Sequence, residues 1–137
     1  MRVIAVQRAA LEDMRAHAAA SHPQEACGIL LGEGGRITEA RPAANVHPAP
    51  ATRFEIDPQA LIDAHRAARG QGGPQVIGYY HSHPQGPAAP SATDRASASG
   101  DGKVWAIIAP NDPEADARFW QDGKQGFVAL PFTISDG

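Results

Sequence analysis

Six apolar residues in a row, Ala26-Cys27-Gly28-Ile29-Leu30-Leu31, run up to Gly32 and the pair Gly34-Gly35. A short continuous run closed by glycines reads as a buried strand, and Arg36 to Ala40 follows as a strand able to pair with it in a hairpin. Upstream, Val3 to Val6 is a short strand. From Arg8 to Ser21, Leu11, Met14 and Ala18 recur at helical spacing among many alanines, and Pro23 supplies the stop. Residues 42 to 51 hold three prolines and read as loop, after which Arg53 to Ile56 has strand character. Asp57 before Pro58 provides a cap and a first-turn proline. Leu61, Ile62 and His65 then share a helical face and Gly70 suits the end, which predicts a helix over 58–69. Past a Gly-rich turn at 70–74, Val76 to His83 is strand-like, Pro84 to Pro90 is an irregular loop and Ala92 to Ser99 a short helix. Strands are expected over Val104–Ala109, Ala117–Asp122 and Gly126–Phe132. Helices interspersed with hairpin-connected strands imply an α+β domain on a mixed sheet, not a doubly wound parallel one. A chain of 137 residues suits one such domain, 1–137.

With 42% hydrophobic and 20% charged residues the chain can build a core, which excludes a wholly disordered protein. The formal net charge is -3, and no basic run offers the footprint that nucleic acid or anionic membranes require. The one cysteine, Cys27, excludes an intrachain disulfide and a multi-cysteine zinc site, and fits a reducing compartment. The apolar start is too short for a secretory signal, and no stretch of about 18 apolar residues exists to span a membrane. A soluble, cytoplasmic protein with neither nucleic acid nor membrane as partner is expected.

Chemistry concentrates in His81-Ser82-His83-Pro84, followed after six residues by Ser91 and after two more by Asp94. Side chains alternate along a strand, so His81 and His83 leave the same face and two imidazoles can converge on one ion. An Asp oxygen from the segment beyond makes two nitrogens and one oxygen, a set that suits zinc with a fourth position open to water. Peptide hydrolysis at such a centre also needs a base for the water's proton and a donor for the developing oxyanion. Glu25 and Ser91 are candidates. A His-x-His alone is expected in about a quarter of shuffled chains of this composition, whereas the string with Pro84, Ser91 and Asp94 falls below about one in ten thousand.

Glu25, then His81-x-His83, ten residues and Asp94, with Ser91 inside that interval, resembles the signature of the JAMM (MPN-plus) metallopeptidases, the zinc-dependent deubiquitinase-like enzymes. Two segments in family order carry the resemblance: Pro23-Gln24-Glu25-Ala26-Cys27-Gly28-Ile29-Leu30 and Gly78-Tyr79-Tyr80-His81-Ser82-His83-Pro84. It implies that His81, His83 and Asp94 ligate zinc, that Glu25 is general base and then acid to the leaving amine, and that Ser91 hydrogen-bonds the oxyanion. The fold implied is the MPN domain, a curved mixed sheet flanked by helices. The short chain is most similar to the compact bacterial members, and the implied substrate class is the C-terminal Gly-Gly tail of a ubiquitin-like sulfur carrier protein.

Other readings of the same residues stand beside this one. Ser91-x-x-Asp94 is also a helix capping box, and a carboxylate's two oxygens allow cap and ligand at once. Nothing in the spacing carries Glu25 to His81; that placement comes from the resemblance. His17, His22, His47 and His65 lack partners at ligand spacing and read as surface or helix-face residues. Cys27, between alanine and glycine in an apolar run, reads as a small buried hydrophobe. The loop from Pro84 to Pro90 either links two ligands or borders a groove for an extended substrate tail. Two rival functions remain: a noncatalytic MPN scaffold for protein contacts, and a hydrolase using Cys27 as nucleophile.

Overall fold

The computed structural model describes residues 2–70 and 72–136. Gln71 of the expected Gly-rich turn, and Met1 and Gly137 of the expected 1–137 domain, lie outside the described residues. In chain order the elements are β1 (Ile4–Gln7), α1 (Arg8–Ser21), β2 (Cys27–Glu33), β3 (Arg36–Ala43), α2 (Pro58–Arg69), β4 (Gln75–Ser82), α3 (Ala92–Ser97), β5 (Val104–Ile108), β6 (Ala117–Gly123), β7 (Gly126–Leu130) and β8 (Phe132–Ser135).

The strands form one mixed sheet in the order β7-β6-β5-β4-β2-β3-β1-β8. Only Pro131 separates β7 from β8, yet they occupy opposite edges. A single residue cannot cross a flat eight-stranded sheet, so the sheet curls until its edges meet. The Ile4 N–H donates to the Pro131 carbonyl at 3.1 Å, and the Phe119 and Phe132 rings stand 4.6 Å apart across the seam. The single strand expected over Gly126–Phe132 is thus two strands. Pro131 has no N–H for the ladder and turns the chain from one edge to the other.

The concave face closes around α1. Leu11 and Met14 are fully buried against Ile4, Val6, Leu30, Ile37, Tyr80 and Phe119. Each contributes about 1.5–3 kcal/mol by removal from water. On the convex face α2 sets Leu61 and Ala64 on Ile29, Leu31 and Val76. Strand β2, covered on both sides, is buried from Cys27 to Gly32, which accounts for its unbroken apolar run. The ends of α2 follow the sequence signals: Asp57 accepts from the Gln59 N–H at 3.1 Å, Pro58 opens the first turn, and Gly70 closes the last.

Three further expectations are corrected. Arg53–Ile56 is not a strand; only Ile56 makes an isolated bridge, to Asn45, and side-chain bonds from Asn45 hold the segment instead. Strand β3 runs on through Pro42 to Ala43, because β1 pairs with β3 only at Arg36 and Ile37, leaving the outer side of Pro42 with no bond to lose. The short helix stops at Ser97 rather than Ser99. No helix among the described residues is long and apolar enough to cross a membrane.

A bulge sets the site. Leu30 faces Gly78 and Leu31 faces Val76, so Ile77 is an extra residue in β4. The phase shift keeps Val76 on the convex face with Tyr79, and therefore with His81 two residues further on. Gly78 lies where β4 meets the parallel β5 so closely that a Cβ would strike the Val104 carbonyl. Gly78→Ala is expected to cost about 3 kcal/mol or more in chemical denaturation, since backbone must move to admit the methyl. A loss below about 1 kcal/mol would show that the β4–β5 contact has slack.

Candidate metal centre

His81 leaves the convex face near the end of β4, opposite Cys27 of β2 and beside Ile107 of β5. His83 follows the strand, but its N–H still bonds the Ile108 carbonyl at 2.8 Å, so the alternation carries one residue past β4. The two Nε2 atoms approach to 3.1 Å, and Asp94 Oδ2 stands 3.2 Å from His81 Nε2 and 3.1 Å from His83 Nε2. Two nitrogens and an oxygen on the corners of one small triangle match the edges of a tetrahedron about 3.3 Å long, which zinc bonds of about 2.05 Å generate. All three side chains are at least 90% buried, with exposures of 1%, 8% and 4% for His81, His83 and Asp94. By donor type and spacing the set fits a divalent cation such as zinc.

Local structure fixes each member. The Pro87 carbonyl accepts from His83 Nδ1–H at 2.7 Å, which turns Nε2 to the triangle. The Phe54 ring stacks on His81 at 4.3 Å and 17°, and Trp105 meets it edge-on at 5.7 Å. Asp94 is the N3 residue of α3: Ser91 Oγ accepts from the Asp94 N–H at 3.0 Å, and the Ser91 N–H donates to Asp94 Oδ2 at 2.9 Å. Capping box and triangle coexist, as the two oxygens permit, though Oδ2 serves both while Oδ1 lies 3.2 Å from His81. The Ser91 oxygen is occupied as an acceptor by the cap, so its O–H remains able to donate.

Glu25 arrives from outside β4. Its N–H donates to the Pro50 carbonyl, its own carbonyl accepts from Asn45 Nδ2 at 3.0 Å, and the next residue's N–H donates to Ser82 Oγ at 2.8 Å. With β2 registered on β4, these bonds bring a Glu25 donor atom within 4.8 Å of donor atoms of both histidines. All five candidate residues are thus gathered, with two carboxylates flanking the histidine pair.

The two carboxylates differ in character. Burial pushes Glu25 up to about 7, with Asp94 adding to the rise and His83 opposing it. Asp94 is buried too, but hydrogen bonds from His81 and His83 outweigh that and hold it well below the usual carboxylate range. Burial lowers His81, favouring the neutral imidazole that metals bind. His83 is also buried, yet its bonds to Asp94 and Pro87 raise it. Acid and base roles are assigned where environments separate two titratable groups, and here one carboxylate is poised near neutrality beside one that stays ionised.

A cleft of about 380 Å³ opens on these groups, with Glu25, Phe54, Asp94 and Trp105 in its walls. The loop Pro84–Pro90 does not border it: Ala88 packs on Ile107 and Ala109, away from the opening. The opposite wall is the 52–56 segment, which the sequence marked only as an extended piece. Sequence reasoning therefore missed Phe54 and Asn45. Asn45 carried one usable signal, an Asx residue in a Pro-rich loop; it accepts from the His47 and Glu55 N–H groups and donates to three carbonyls. Of the remaining histidines, His17 bonds the Tyr80 hydroxyl at 2.7 Å, and His47 accepts from the Ala49 N–H.

Comparison with known proteins agrees with this geometry. The family model "Prokaryotic homologs of the JAB domain" matches residues 7–122. The desampylase of Haloferax volcanii is 38% identical over 112 residues, covering 80% of this chain and 79% of the relative. A probable TtuB-protein conjugate cleaving protease of Thermus thermophilus is 40% identical over 92 residues, 67% of this chain and 61% of that protein. Among solved structures, a JAB1/MPN domain protein from Archaeoglobus fulgidus superimposes with a TM-score of 0.64 at 22% identity, over 95% of this chain and 99% of the other. The family model spans most of the chain, so this protein belongs to the prokaryotic JAB family, as a compact member of the JAMM/MPN family.

Proposed function

We propose that this protein is a zinc-dependent peptidase that hydrolyses the peptide or isopeptide bond after the C-terminal Gly-Gly tail of a ubiquitin-like, sulfur carrier-type protein. The observation that carries the reading is the triangle of His81, His83 and Asp94 with Glu25 beside it, next to a cleft that Glu25 and Asp94 line. The relatives support the substrate class, being named for cleaving modifier conjugates. His81, His83 and Asp94 would hold the metal. Zinc, when bound, supplies a Lewis acid for the scissile carbonyl and lowers the pKa of a water in its open position.

The chain's own groups do the rest. Glu25 takes a proton from the attacking water, and its pKa near neutrality suits both this and the return of that proton to the leaving amine. As the water oxygen bonds to the carbonyl carbon, the Ser91 O–H donates to the resulting oxyanion. The C–N bond then breaks, leaving a Gly carboxylate and a free amine. Phe54 and Trp105 exclude solvent around His81 and keep its ring in place. The single cysteine supports a cytoplasmic setting.

The direct test is incubation of zinc-loaded protein with a small carrier protein extended beyond its terminal Gly-Gly, read by mass spectrometry. Cleavage after the second glycine, abolished by a chelator and restored by zinc, is expected. Cleavage that persists when both glycines are changed to leucine would remove the tail from the reading.

Cys27 has no catalytic setting. Its sulfur lies 3.8 and 3.7 Å from the Ala43 and Ala44 carbonyls, and burial, with Glu25 adding to it, pushes the thiol up to about 12. A thiol held protonated at neutral pH is a poor nucleophile. Iodoacetamide at pH 7.5 is therefore expected to leave both Cys27 and hydrolysis intact; loss of activity on labelling would revive the cysteine mechanism.

A further inference from the structure

The Pro87–Ala88 peptide bond carries hydrogen bonds at both ends. Its carbonyl oxygen accepts from His83 Nδ1–H at 2.7 Å, and its N–H donates to Asp112 Oδ2 at 3.0 Å. The other oxygen of Asp112 accepts from the Glu114 N–H at 2.8 Å, with a longer bond from Ala115 at 3.4 Å. This carboxylate therefore stays ionised and fixed at the start of the turn before β6. A second clamp holds the next carbonyl: Trp120 Nε1 donates to the Ala88 oxygen at 3.1 Å, while the Ala88 methyl is buried against Ile107 and Ala109. The loop from Pro84 to Pro90 is thus pinned at the peptide whose carbonyl bonds the His83 ring.

We propose that Asp112 is a positioning residue for His83, acting through the Pro87–Ala88 peptide. This rests on the assignment of His83 as a metal ligand. A carboxylate on the N–H side polarises the peptide, which makes its oxygen a stronger acceptor. The stronger acceptor holds the ring with Nδ1–H on the Pro87 oxygen and Nε2 aimed at Asp94 and His81. Metal-binding histidines commonly donate their second ring nitrogen to a carboxylate or a carbonyl. Here the carboxylate acts one peptide removed, from a residue 29 positions along the chain from His83.

The test uses the full chain. In metal-free, ¹⁵N-labelled protein, ring ¹H–¹⁵N correlation spectra report the proton shift of the His83 Nδ1–H that bonds the Pro87 carbonyl. Zinc affinity is measured separately, by competition with a chromophoric chelator. Asp112→Asn is expected to move the Nδ1–H resonance upfield or lose it to exchange, and to raise the zinc dissociation constant about tenfold. Glu114→Gln removes a charge from the same turn without touching the peptide, and is expected to change neither readout. An unchanged His83 resonance and unchanged affinity in folded Asp112→Asn would overturn the proposal, as would equal effects from Glu114→Gln. If the Asp112 variant does not fold, Trp120→Phe frees the following carbonyl, that of Ala88, and so loosens the Pro87–Ala88 peptide from the neighbouring peptide. A smaller shift in the same direction supports the relay, and no shift overturns it. Wild-type protein that binds no zinc would instead defeat the assignment of the metal site, while the ring spectra would still read the relay.

Discussion

Glu25→Gln is expected to lower kcat by about 10³-fold while zinc content and KM stay at wild-type values. The side chain is 7% exposed and its backbone is held at both ends, by the Pro50 carbonyl and by Asn45, so an isosteric amide enters without displacing the loop. Glutamine keeps the volume but accepts no proton, which isolates the base. The same substitution has an opposite effect on stability. In the metal-free protein the Glu25 pKa rises from 4.5 to about 7 on folding, so this group's contribution to stability is full below pH 4.5 and is lost as pH climbs through 7. At pH 8 the metal-free Gln variant is therefore expected to exceed wild type by up to about 3 kcal/mol in chemical denaturation, with the two converging near pH 4. Retained turnover would place the base elsewhere. A variant no more stable than wild type at pH 8 would show that Glu25 ionises without penalty in the fold.

How much of this was legible in the chain follows from the range over which each feature is determined. The convergence of His81 and His83 is local, a consequence of strand alternation, and survives even though β4 ends at Ser82. Asp94 was legible through its cap, because Ser91-x-x-Asp94 starts a helix whatever else it does. The approach of Glu25 to the histidines depends on the pairing of Cys27 with His81 across 54 residues and on bonds from Ser82 and Asn45. No spacing in the sequence encodes that register; only resemblance to a family supplied it. Phe54 escaped for a related reason. Its segment looked like a strand by composition, but its backbone partners are the side chain of Asn45 and a single bridge, so its stacking on His81 is a property of tertiary placement. The split between β7 and β8 was signalled by Pro131, which no interior ladder tolerates, but that signal says nothing of the curl that places the two strands on opposite edges.

His83→Ala, supplied with zinc and desalted, is expected to retain no metal where wild type retains one equivalent by elemental analysis. Three protein donors 3.1–3.2 Å apart share the binding free energy. Removing one of them is expected to weaken affinity by about 10³-fold, enough to lose the ion on a desalting column. His83 is the informative position because its ring is held by the Pro87 carbonyl rather than by the core. His81, by contrast, is stacked between aromatic neighbours and 1% exposed, so its deletion would also open a cavity and confuse loss of metal with loss of fold. Asp94→Asn is the complementary change: it keeps an oxygen for the α3 cap but lacks the charge, so it is expected to remain folded and to hold zinc poorly. If His83→Ala keeps a full equivalent, the ion lies elsewhere, and the triangle would be a hydrogen-bonded His–His–Asp cluster of a protein-binding JAB domain. If wild type holds zinc, His83→Ala does not, and Glu25→Gln holds it without turning over, the metal and the base are the work of different residues, which a scaffold without chemistry has no means to produce.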